Sequence, residues 1–85
     1  MENLIIAFRS RSSTMRYAAA LRNSGIAVKI INTPREAGAG CGISARCSLD
    51  SYNTARSVLA SGNYQGFAGF YRENPYASAG RIVPM

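Results

Sequence analysis

Leu4–Phe8 is an unbroken apolar run of β-forming side chains, the pattern of a central strand buried on both faces. Ser10, Ser12 and Ser13 follow as candidate helix N-caps. The period then changes. Within Thr14–Ser24, Tyr17, Ala18 and Leu21 fall at i, i+1 and i+4, with Arg16 and Arg22 on the polar side. This predicts a helix closed by Gly25 at C′. Ile26–Ile31 is β-branched and predicts a second strand, stopped by Pro34. Ile43, Ala45 and Cys47 alternate with Ser44 and Arg46, so a third strand starts at Ile43. Ser48 offers a cap for a second helix over Leu49–Ser61, with Tyr52, Ala55, Val58 and Leu59 as its buried stripe and Gly62 as its end. Gly66–Tyr71, with Phe67, Phe70 and Tyr71, predicts a last strand.

The order β-α-β-β-α-β is the split βαβ arrangement of a ferredoxin-like α+β fold. The expectation is a four-stranded antiparallel sheet with two helices on one face. Residues 1–72 form the domain, and 73–85 read as a C-terminal tail. That tail is either unstructured or adds an edge segment through Arg81-Ile82-Val83. Eighty-five residues make one domain, and so small a core supplies roughly 3–5 kcal/mol. The exposed sheet face and edge leave a homodimer open.

The run Thr33–Gly42 breaks the pattern: one cysteine between glycines, an arginine upstream, and no bulky apolar residue. In the expected topology the first two strands run the same way, so the loops that follow them meet at one end of the sheet. Arg9, Arg11 and the start of the first helix should therefore lie beside Arg35 and Cys41. Free helix N–H groups and arginines favour anions, and positive surroundings favour thiolate, the nucleophilic form of cysteine. Gly40 and Gly42 leave Cys41 open to a partner sulfur. Pro34 sets the entry angle, Thr33 is placed to cap a turn, and an Arg35–Glu36 pair would orient the loop. Cys47, alternating with Ile43 and Ala45, reads instead as a core thiol.

Charge refines this picture. Ten Lys+Arg stand against four Asp+Glu, a net charge of +6, and all the bases but Lys29 are arginine. They are dispersed, so no basic tail for nucleic acid is indicated. An RNA-recognition sheet has the same element order, but its stacking platform needs rings that Ile43–Cys47 lacks and strand one supplies only at Phe8. With no histidine and two cysteines, neither a closed zinc site nor a Cys-x-x-Cys metal-transfer pair can form. No cofactor is implied. The apolar opening run is too short for a membrane span or a secretory signal, which leaves the cytoplasm as the expected compartment.

Thr33-Pro34-Arg35-Glu36, followed by Cys41-Gly42-Ile43 and an apolar–Arg strand end, resembles the small bacterial domain named putative Se/S carrier protein-like. The resemblance covers roughly Leu4 to Tyr71. It differs at Ala37-Gly38-Ala39-Gly40, where the family carries more serine, and in the tail beyond Arg72. The resemblance implies a sulfur or selenium carrier rather than a turnover enzyme, with Cys41 as carrier thiol and Pro34, Arg35 and Glu36 as its motif. It implies a cysteine desulfurase or another sulfur- or selenium-transfer protein as partner. The alternative is a non-catalytic anion-binding or regulatory adaptor in which Cys41 is incidental. Phosphate binding that survives loss of Cys41 but not of Arg9 or Arg35 marks that alternative.

Overall fold

The computed structural model describes residues 2–38, 41–77 and 81–85. The chain runs β1 (Asn3–Phe8), α1 (Arg11–Asn23), β2 (Lys29–Asn32), β3 (Ile43–Ser48), α2 (Tyr52–Ser61), β4 (Phe67–Glu73) and β5 (Ile82–Pro84). Short 3₁₀ turns at Arg35–Ala37 and Leu49–Ser51 precede β3 and α2. The sheet order is β2-β3-β1-β4-β5, and every neighbouring pair is antiparallel. The expected four-stranded ferredoxin-like sheet is thus corrected to five strands. The fifth comes from the tail, where Ile82–Pro84 pairs with Tyr71–Glu73. Pro84 is tolerated there because β5 is an edge strand.

Strand β1 is the axis of the molecule, with Leu4 to Phe8 all fully buried. Leu4, Ile6 and Phe8 face the helices and pack with Tyr17, Ala18, Leu21, Ala45, Cys47 and Ala55. Tyr52, Val58 and Leu59 lean on the same cluster, so the stripe predicted for α2 is the one that packs. Around Phe8 the rings of Tyr17, Tyr64 and Phe67 lie at 5.2, 6.2 and 5.7 Å between centroids, tilted or edge-on. Such pairs add to what area burial alone provides.

The helix ends follow local chemistry. Ser10 is the N-cap of α1, its hydroxyl accepting from the Ser13 N–H, so the helix starts at Arg11, three residues before the predicted Thr14. At the other end the Ile26 N–H donates to the Leu21 carbonyl and the Gly25 N–H to the Arg22 carbonyl, a Schellman closure. Ile26 and Val28, predicted as strand, instead pack against the core before pairing begins at Lys29. Gly62 ends α2 as expected but in an extended conformation, and a Cβ there would run into the Tyr64 ring.

Two buried acidic side chains, Cys47 and Tyr17, bear on stability in alkali. Burial pushes the Cys47 thiol from 9.0 up to about 11. Burial, and then the neighbouring Cys47 and Tyr64, raise the Tyr17 phenol, which donates to the Ala55 carbonyl at 2.7 Å. Both groups hold their protons more tightly folded than unfolded. Their contribution is therefore complete below about pH 9 and is lost as pH rises through the folded values. We expect the melting temperature to fall steeply between about pH 9 and 11. Replacing Cys47 with Ala should flatten that fall, and an unchanged slope would contradict it.

Candidate functional site

Strands β1 and β2 run in the same direction, so the end of β1, the start of α1 and the β2–β3 loop share one end of the sheet. Cys41 joins them. Its N–H donates to the Phe8 carbonyl at 3.4 Å. Its half-buried thiol donates to the Ile43 carbonyl at 3.5 Å and lies 3.8 Å from the Thr14 hydroxyl. Thr14 is on the first turn of α1 and donates to the Ser10 carbonyl at 3.0 Å. The sulfur therefore sits at the N-terminal turn of a thirteen-residue helix, the end carrying partial positive charge.

The loop itself is built in three places. At its neck the Thr33 N–H donates to the Gly42 carbonyl at 2.9 Å. Gly42 has φ +97°, a conformation that other residues adopt only with strain. The Thr33 hydroxyl, expected to cap a turn, instead bonds the buried Ser44 hydroxyl at 2.7 Å. Further out, Pro34 leads into the Arg35–Ala37 turn, closed by the Ala37 N–H on the Pro34 carbonyl and the Gly38 N–H on the Arg35 carbonyl. That turn lies over the sheet face opposite the helices. Ala37 is buried there, its carbonyl accepts from the Tyr71 hydroxyl at 3.2 Å, and the turn touches β5.

Arg9, Arg11 and Arg35 are exposed at this end, and the polar neighbours of the thiol among the described residues are Ile43 and Thr14. Arg35 lines a shallow groove of about 300 Å³ with Thr33, Pro34, Gly38 and Gly42. The Arg35–Glu36 pair does not form. Ion pairs among the described residues are Arg46–Glu73 and Arg72–Glu2, and the backbone turn and Tyr71 orient the loop instead. Gly40 lies outside the described residues. Thr14, Ser44 and Tyr71 escaped sequence reasoning, because each acts through a contact made across the sheet or between elements far apart in the chain. Among the described residues, no helix is long and apolar enough to cross a membrane.

Tyr71→Phe removes the bond to Ala37 and leaves the ring in place. We expect faster proteolytic nicking in the Thr33–Gly42 loop, with a cost near 1 kcal/mol in global stability. Unchanged nicking kinetics would mean that this bond does not hold the loop.

A small α+β domain that presents one half-buried thiol at a helix start, and buries its other thiol in the core, is the class that fold and site define. The profile of the family described as "Putative Se/S carrier protein-like" matches residues 3–72, and the chain belongs to that family. β5 lies beyond the matched residues. No curated protein and no solved structure matches the chain.

Proposed function

We propose that Cys41 is a carrier thiol that accepts a sulfur or selenium atom from a donor protein and passes it on. The observation that carries this reading is the placement of its sulfur at the first turn of α1, within 3.8 Å of the Thr14 hydroxyl. A persulfide or selenide on this sulfur is anionic and is favoured beside a helix N-terminus. For sulfur, the Cys41 thiol first loses its proton to water. The thiolate then attacks the terminal sulfur of a donor persulfide. A new S–S bond forms on Cys41 as the donor's S–S bond breaks, and the electron pair leaves with the donor thiolate. Nothing is oxidised or reduced overall. Thr14, whose hydroxyl already bonds Ser10, can turn its proton toward the anion. The donor chemistry fits a cysteine desulfurase.

Peptide mapping of the chain after incubation with a cysteine desulfurase and free cysteine tests this. The expected result is the mass of one added sulfur on the peptide that contains Cys41. The same mass on the Cys47 peptide alone would overturn it. The shallow groove beside Arg35 supports a second reading, an anion-binding adaptor. In that case phosphate binding survives Cys41→Ala and is lost in Arg35→Ala.

A further inference from the structure

At the end of the sheet away from Cys41, β3 outruns its edge neighbour. Pairing between β2 and β3 stops at Lys29 opposite Arg46, so Cys47 and Ser48 have a strand partner only on the β1 side. The gap is a cleft of about 530 Å³ lined by Asn3, Arg22, Lys29, Arg46, Cys47 and Ser48, along with Ala27 and Val28. That volume suits a small ligand.

The charges in this cleft are unusual for a merely structural edge. Lys29 and Arg46 are direct cross-strand partners, and like charges placed opposite each other destabilise a sheet. Arg46 has a carboxylate, Glu73, at 3.8 Å, but Asn3 also donates to that carboxylate at 2.9 Å. Arg22 donates to the Val28 carbonyl at 3.2 Å, which holds its guanidinium at the cleft. Among the described residues neither Arg22 nor Lys29 enters an ion pair. Cys47 adds no negative charge, because burial keeps its thiol protonated at neutral pH. Arg46 thus leans on Glu73 across β1, while Arg22 and Lys29 bring positive charge to a ligand-sized space that Ser48 and Asn3 also line. Local conflicts of this kind concentrate at functional sites.

We propose that this cleft binds a small phosphorylated molecule, whose phosphate oxygens bridge Lys29 and Arg46 and accept from Arg22. Forked guanidinium contacts and a lysine point charge are the pairing that phosphate chemistry uses. The site is separate from Cys41 and does not depend on the carrier reading.

The test is a nitrogen-15 NMR titration of the whole chain with inorganic pyrophosphate, against sodium chloride at matched ionic strength. Saturable shifts are expected at the amides of Lys29, Arg46, Cys47 and Ser48. Binding should weaken about tenfold or more in Lys29→Gln and again in Arg22→Gln, since each loses a charged hydrogen bond. Lys29→Gln should leave the melting temperature unchanged or raise it, because it also removes the like-charge pair. Three outcomes would overturn the proposal: shifts centred on Arg9, Arg11 and Arg35, shifts that merely follow ionic strength, or preferential binding of a short single-stranded RNA with shifts spread beyond the cleft.

Discussion

Phe8→Ala is expected to leave the chain largely unfolded at room temperature. The ring is fully buried and meets three other rings within 6.2 Å. Truncating a buried phenylalanine costs about 3–5 kcal/mol, the lost transfer energy plus a cavity. A core of this size supplies roughly 3–5 kcal/mol in all, so the two nearly cancel. The site falls with the fold, because the Phe8 carbonyl also anchors the Cys41 N–H. Circular dichroism and urea titration read the result. A cooperative melt close to that of the wild type would mean that the aromatic cluster carries far less than its burial indicates. Phe8→Leu, which keeps most of the apolar bulk, should retain a weakened but cooperative transition.

Cys41→Ala should abolish sulfur loading outright, whereas Cys47→Ala should load normally. The chain has two thiols, and their environments separate them. Cys47 is 5% exposed, lies among Leu4, Ala18 and Leu21 in the core cluster, and has its thiol pushed up by burial from 9.0 to about 11. A rise of two units lowers its thiolate fraction at neutral pH roughly a hundredfold, and burial slows attack further. It cannot stand in for Cys41. Intact mass after desulfurase treatment distinguishes the variants, and iodoacetamide labelling of the folded wild type should modify Cys41 far ahead of Cys47. Loading that persists in Cys41→Ala and disappears in Cys47→Ala would reverse the assignment.

Much of this architecture is written in local pattern. The apolar run Leu4–Phe8 announces a doubly buried strand, and the Tyr17, Ala18, Leu21 stripe announces the helix that covers it. The parallel course of β1 and β2 then brings Cys41 to the start of α1 without knowledge of any contact. Three kinds of feature were not legible. The first turn of α1 is Arg11-Ser12-Ser13, which has no apolar period, so its start depends on the Ser10 cap. The choice between an unstructured tail and an edge segment at Arg81-Ile82-Val83 depends on pairing: β5 has three residues, one of them proline, and lies along the edge that β4 offers. The Ile26–Val28 segment has strand composition, yet the Schellman closure and core packing claim it first. Chain position brings the backbones of Arg9, Arg11 and Arg35 to the end of the sheet that holds Cys41, but where a long, exposed side chain sets its guanidinium is not written in the sequence.

The loop bearing Cys41 is tied down at two points, by the Phe8 carbonyl at the Cys41 backbone N–H and by the Tyr71 hydroxyl at Ala37. A thiol on a long tether can visit one partner and then another while both stay docked. A thiol fastened in this way cannot travel. On the carrier reading, donor and acceptor must occupy the same surface in turn, so each competes with the other. An excess of either partner would then slow the relay.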